Sequence, residues 1–188
     1  MQNLIPVELP LVYRLLNVGG TCLVSAAHEG QEDVMPAAWN TALDIDPGLL
    51  TVVVDKSHYT RRLMDESRLF GITLPTVSIA REVMALGSVS KNDDPAKLEK
   101  SGAEFFKFEG WDMPFVKGCA GYIVCRARDE QDIEKRYDLF VGEALAAWAD
   151  PRVFDGRHWL YEKAPKELST LHYVAGGRFY GIGQTIDV

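Results

Sequence analysis

The sequence predicts a mainly β (α+β) fold, a small antiparallel barrel with peripheral helices. Short β-branched and apolar runs outnumber helical patterns, and several are joined by tight turns. The helices fall between strands without regular βαβ alternation, which disfavours a doubly wound parallel sheet. No Gly-x-Gly-x-x-Gly follows a strand, since Gly19-Gly20 and Gly181-Ile-Gly183 stand isolated.

The elements follow in order. Thr21 to Ala27 reads as a strand, His28 to Glu32 as a polar turn, and Val34 to Ala42 as the returning strand of a hairpin. Asp46-Pro-Gly48 is a turn signal handing over to Leu49 to Asp55, apolar enough to be a central strand covered on both faces. Ser57 is placed to cap a helix from about His58 to Glu66, with Leu63 and Met64 inward and Arg61 and Arg62 towards solvent or ligand. Leu69 to Leu74 returns as a strand stopped by Pro75. Ser78 caps Ile79 to Leu86 with Gly87 as terminator, and Asp94-Pro95 begins a helix closing at Ser101-Gly102, with Ser88 to Asn92 between the two. After a loop with Trp111 and Pro114, Gly121 to Arg128 alternates as a strand, and Asp138 to about Trp148 forms a longer one. There Glu143 to Trp148 carries strong helix propensity, so pairing must override it. Asp150 to Ser169 reads as loop, and Leu171 to Val174 as a last strand before Gly176-Gly177.

Length and composition bound the function. A chain of 188 residues, 47% hydrophobic, is expected to form one domain, residues 1–188, with a sizeable core. A net charge of -7 argues against a nucleic-acid backbone or an anionic membrane surface as partner. No run approaches the roughly eighteen apolar residues of a membrane helix. The first ten residues lack a signal-peptide pattern, and three cysteines with no metal or redox spacing read as core thiols, so a cytoplasmic location is expected. No zinc-protease, nucleophile-elbow or phosphate-loop motif occurs.

Two segments carry chemistry. Met35-Pro-Ala-Ala-Trp-Asn-Thr41 pairs small residues, which admit a planar ring close to the backbone, with an aromatic wall at Trp39 and hydrogen-bonding groups at Asn40 and Thr41. Asp55-Lys-Ser-His-Tyr-Thr60 offers hydroxyls, a cation and helix-start amides, the donor set an anion needs, although Ser57 as a simple cap competes for the same amides.

With Asp46-Pro47, Leu86-Gly-Ser-Val-Ser90, Lys117-Gly-Cys119, Leu139-Phe-Val-Gly-Glu143 and His172 to Tyr180, these segments resemble the flavin reductase-like proteins of the FMN-binding split-barrel superfamily, closest to the flavoredoxin branch. The resemblance covers most of the chain. It implies an antiparallel split barrel that binds FMN non-covalently as a homodimer. The ring would lie along Ala38, Trp39, Asn40 and Thr41, and the phosphate at Lys56, Ser57, Tyr59 and Thr60, with charge from Lys56, Arg61 or Arg62. Ser90 and Lys91 would reach the flavin from their loop, and His172 and Phe179 would close over it. The flavin would carry the chemistry, with no catalytic side chain and no metal. The implied activity is a flavin-dependent reductase, supplied by NAD(P)H or by a redox-protein donor. The alternative is a non-enzymatic electron carrier. Nicotinamide-dependent flavin reductases often carry Gly-Asp-His just before the strand matching Leu139 to Glu143; Lys135-Arg-Tyr-Asp138 stands here, which points to the flavoredoxin-like pattern.

Overall fold

The computed structural model describes residues 3–17 and 19–186. The strands are β1 (Ile5–Pro6), β2 (Cys22–His28), β3 (Gln31–Ala37), β4 (Asn40–Asp44), β5 (Leu49–Val53), β6 (Leu69–Pro75), β7 (Phe105–Phe106), β8 (Phe115–Val116), β9 (Cys119–Ala127), β10 (Leu139–Ala149), β11 (Leu171–Ala175) and β12 (Arg178–Gly181). The α-helices are α1 (Tyr13–Asn17), α2 (Tyr59–Ser67), α3 (Ala80–Ser88), α4 (Lys97–Lys100) and α5 (Gln131–Tyr137).

The main sheet runs β3-β2-β6-β9-β10-β5-β4, all antiparallel, with β1 added beside the far end of β10. Its two edge strands are consecutive in sequence and joined by only Ala38 and Trp39. Three Cα steps reach roughly 11 Å, whereas seven strands laid flat would hold their edges nearly 30 Å apart, at about 4.8 Å per strand. The sheet therefore curls until its edges nearly meet, and the unpaired seam between β3 and β4 is the split of the barrel.

Alternate residues of each strand serve two cores. Val24, Met64, Phe70, Ile72, Val52 and Phe140 pack in one, and Leu23, Val34, Leu86, Phe115, Tyr122 and Val124 in the other, beneath α3 and the β7–β8 ribbon. Cys22, Cys119 and Cys125 are buried and joined in no disulfide, as expected of core thiols. Burial pushes the Cys22 and Cys119 thiols up to about 12.

Several sequence expectations need correction. Val34 to Ala42 is two strands, because the chain changes edges at Ala38–Trp39. The β5 strand is one in from the edge, although both of its faces are covered. His58 rather than Ser57 stands at the α2 N-cap, and no side chain caps that helix. Ser78 lies in a 3-10 turn over Val77–Ile79, its hydroxyl paired with Thr76, and α3 runs through Gly87 to Ser88. The helix expected from Asp94 shortens to α4, since Asp94 instead turns the chain by accepting from the Ala96 amide. Between Glu143 and Trp148 the strand prevails, pairing β10 with β9. No sequence expectation covers β1, α1, α5 or β12, and the loop with Trp111 and Pro114 is flanked by the short paired strands β7 and β8.

A candidate two-compartment cleft at the barrel split

A cleft of about 340 Å³ opens at the seam. Its walls are the end of β3 (Met35, Pro36, Ala37), the crossover Ala38–Trp39, Val53, the α3 residues Val83, Met84 and Gly87, and the rings of Tyr173 and Phe179. This lining is predominantly apolar and aromatic, which suits a planar ring. Trp39 is 75% exposed, so little of its indole packs against the protein itself.

The β11–β12 hairpin closes one side. It forms a separate two-stranded sheet, fastened by Thr21 N–H to the Leu171 carbonyl (2.8 Å), by Tyr173 N–H to Thr21 Oγ1 (2.9 Å) and by the Thr76–Thr170 bridge. Gly20, at φ +99°, admits this approach, since a Cβ there would stand 2.4 Å from the Leu171 carbonyl oxygen. The Tyr173 and Phe179 rings lie 5.3 Å apart.

A second, smaller compartment of about 190 Å³ adjoins the first and shares Met35, Pro36, His58 and Gly87 with it. A Cβ on Gly87 would meet Pro36 Cγ at 2.6 Å, so glycine is what lets α3 lie against β3 at this junction. The smaller compartment faces the start of α2. Asp55 prepares that start: its carboxylate accepts from the Ser57 amide (2.8 Å) and its carbonyl from the His58 amide (3.0 Å). The Ser57 hydrogen bonds hold the Asp55 carboxyl below its ordinary range. With no capping side chain, the first amides of α2 lack an acceptor within the helix and present the positive end of its dipole.

The floor of this compartment is ionic. Lys97 Nζ stands 3.0 Å from Asp33 Oδ1 and 3.2 Å from Oδ2, and Thr60 Oγ1 donates to Oδ2 at 2.7 Å. All three residues are buried. Desolvation lowers the Lys97 pKa, partly opposed by the Asp33 charge.

The structure brings together some of the residues singled out from sequence. Ala38, Trp39 and Phe179 line the larger compartment, and Tyr59, Thr60 and Ser90 the smaller. Asn40, Thr41, Lys56, Ser57, Lys91 and His172 line neither. Asn40 Nδ2 donates to the Gly20 carbonyl, and Thr41 is exposed on the edge strand. Lys56 and Ser57 are exposed in the turn before α2, where Asn92 Nδ2 donates to the Ser57 carbonyl. Lys91 Nζ donates to the Glu32 carbonyl, 5.6 Å from the Tyr59 ring centroid. His172 lies half-buried beside Gly19 and Gly20.

Arg61 is not directed at solvent or ligand. It is buried, bonded through all three guanidinium nitrogens to Asp65, Asp138 and the Val54 and Glu134 carbonyls, and stacked on Phe140. Arg62 lies over the Tyr59 ring. Sequence reasoning missed Asp33, His58, Met84, Tyr173 and Lys97. Of these, Tyr173 carried a signal: as an aromatic one residue from His172 in a closing hairpin, it sits on the strand face opposite His172.

Comparison with known proteins agrees with this architecture. The flavin reductase-like domain matches residues 16–177. The uncharacterized Escherichia coli (strain K12) protein YddH is 33% identical over 99% of this chain and 98% of its own. The crystal structure of an FMN-binding domain of a flavin reductases-like enzyme from Shewanella baltica is 44% identical, covers 100% of this chain and 98% of its own, and superposes with a TM-score of 0.97. Flavoredoxin from Methanosarcina acetivorans, 24% identical over 90% of this chain and 88% of its own, shares the fold with a TM-score of 0.70. The split-barrel sheet, the seam cleft and these likenesses together establish that the chain belongs to the flavin reductase-like domain family.

Proposed function

We propose that the chain is a single-domain flavoprotein that binds FMN non-covalently in the two-compartment cleft and acts as a flavin-dependent reductase. The observation that carries this reading is the continuity of an apolar, aromatic-walled compartment with a polar one at an uncapped helix start. That pairing matches a molecule that is a flat ring at one end and a phosphate at the other. The Shewanella baltica protein, alike over its whole length, is described as FMN-binding, which supports the choice of flavin.

Bound FMN supplies the redox chemistry, accepting and passing on hydride or electrons. The protein's part is to bind, orient and shield. Pro36 to Trp39 and the Tyr173–Phe179 hairpin would hold the ring between β3 and an aromatic wall, while Met84 and Val83 would keep water from its far side. The α2 amides and the Ser90 hydroxyl would donate to the phosphate oxygens, with Tyr59 beside them.

A homodimer is part of the reading: Trp39, Leu43 and Ile45 near one barrel edge and Tyr173, Val174 and Tyr180 on the hairpin leave apolar surface exposed. Buried reduced thiols accord with a cytoplasmic setting. The segment matching Gly-Asp-His reads Lys135-Arg-Tyr-Asp138 here. Asp138 sits at φ +56° as the α5 C-cap and pairs with Arg61, and Tyr137 is exposed, so this segment is structural. That favours a protein or small-molecule partner over direct NAD(P)H oxidation, and keeps the electron-carrier reading as the second choice.

The test is reconstitution followed by reduction. The purified chain, stripped and titrated with FMN, is expected to take up one flavin and show a perturbed visible spectrum; a chain that binds no flavin overturns the proposal. Rapid anaerobic mixing with NADH or NADPH then tests the electron source, since fast bleaching of the bound flavin supports direct nicotinamide oxidation, and no bleaching supports a protein or small-molecule donor, to a reductase or to a carrier alike.

A further inference from the structure

Resting on the flavin reading above, we propose that the acceptor served at the seam is a small, uncharged, planar quinone, seated at the mouth of the larger compartment and hydrogen-bonded by the Tyr173 hydroxyl. The charge of the lining carries the choice. Among the described residues that line this compartment there is no lysine or arginine, and Asp55 is its one carboxylate. The cations nearest along the chain, Lys56, Arg81 and Arg178, are exposed and line neither compartment. Asp55 is exposed too, and the Ser57 hydrogen bonds favour its ionised form. An incoming anion therefore meets a carboxylate and no compensating cation, on a chain whose net charge is -7.

The mouth itself is apolar and aromatic. Trp39 is 75% exposed, Tyr173 41% and Met84 36%, so three side chains that wall the compartment also turn surface outward. A flat ring can pack against Trp39 and Tyr173, and the unbranched thioether of Met84 adapts to its outline. Most polar groups of the lining are engaged or face elsewhere. Thr21 Oγ1 accepts from Tyr173 N–H, Asp55 holds the Ser57 amide, and His58 lies at the junction with the smaller compartment. Among the described residues the Tyr173 hydroxyl has no hydrogen-bond partner, while its backbone is fixed at the Thr21 contact. A phenol donates one hydrogen bond, which suits a neutral carbonyl oxygen.

The reaction balances as a two-electron transfer. The quinone gains a hydride from the reduced flavin and a proton from water, and leaves as the hydroquinone while the flavin returns to its oxidised form. The protein or small-molecule donor already proposed restores the reduced flavin. The Tyr173 hydroxyl donates to a quinone oxygen on which negative charge develops, so its hydrogen bond strengthens as the transfer proceeds.

The experiment uses the chain saturated with FMN at low ionic strength, so that weaker flavin uptake by a variant does not enter. Acetophenone and acetylbenzenesulfonate, unreactive ketones that differ by one negative charge, are titrated and followed by the shift each causes in the bound-flavin spectrum. Acetophenone is expected to bind roughly 10-fold more tightly, and Asp55→Asn to narrow the gap. Tyr173→Phe should weaken acetophenone binding roughly 2- to 10-fold, the scale of one neutral hydrogen bond. Under argon, with the bound flavin reduced by light and EDTA, naphthoquinone should reoxidise it roughly 10-fold faster than naphthoquinone sulfonate, once each rate is divided by that with free reduced FMN. Failure of acetophenone to shift the spectrum, or equal affinity for the two ketones, overturns the seat for an uncharged acceptor. An unchanged acetophenone affinity in Tyr173→Phe overturns the part given to the hydroxyl. A wild-type chain that takes up no FMN overturns the flavin reading itself, so the failures are told apart.

Discussion

Thr60 and Arg61 are neighbours on α2, and each feeds a buried ionic cluster, but the clusters differ in what is left over. On one side, Asp33, Lys97 and Thr60 meet at a cavity and leave ammonium donor capacity unused. On the other, Arg61 fills its donors with Asp65, Asp138 and two carbonyls, while Arg68 Nη2 closes on Glu134 at 2.6 Å. The second cluster is scaffolding that ties α2 to α5 and to the start of β10. A buried charge marks a binding site when its hydrogen-bonding capacity exceeds what the protein itself satisfies, and burial alone does not separate the two cases.

The largest effect expected from this contrast is on the saturated side. Arg61→Met strands Asp138 and should lower unfolding free energy by about 3–5 kcal/mol in urea titration, with the preference for FMN over riboflavin intact. A changed preference would join the two clusters into one functional unit. Next is Gly87→Ala at the junction of the compartments. The added methyl meets Pro36 at 2.6 Å, so the variant should lose about 1–3 kcal/mol of stability and bind flavin more weakly. Trp39→Ala reverses the pattern. The ring is largely exposed, so melting should be unchanged, while flavin affinity falls by about 0.5–1.5 kcal/mol if the indole walls the ring compartment.

The seam that creates the cleft was the least legible part of the sequence. Met35 to Thr41 looks like one strand because its only breaker, Pro36, falls inside β3 and not at the crossover; the break comes from the sheet curling until both edges can be reached by one short crossover. The β2–β3 hairpin, α2, β6, β9 and β10 were legible because each carries its own period or turn residues. Helix α5 was not, since Gln131 to Tyr137 has only Ile133 to mark an apolar face and is held through Glu134 by Arg68. Lys97 was hidden for a related reason: Lys-Leu-Glu-Lys reads as a solvated helix face, and only the placement of Asp33 beneath it shows that Lys97 is buried while Lys100 is exposed. Asp33 itself follows a polar turn and carries no mark of burial.

The buried thiols give a smaller, pH-dependent test of the same packing. Their folded pKa values lie above the ordinary value of 9.0, reaching about 12 for Cys22 and Cys119, so the neutral thiol is favoured in the fold. The associated stability is fully present below about pH 9 and is lost as pH rises towards 12. A thiol reagent at pH 8 should therefore find the native cysteines unreactive and titrate all three after denaturation, whereas rapid native labelling would show that one core is looser than described.

The most direct measurement is a crystal structure of the chain with FMN. The account predicts the ring between Pro36–Trp39 and the Tyr173–Phe179 hairpin, with the phosphate in hydrogen-bonding reach of the α2 amides and Ser90. A phosphate found instead in the open charged depression at Arg68, Arg126 and Lys135, or a ring outside the seam, would contradict it.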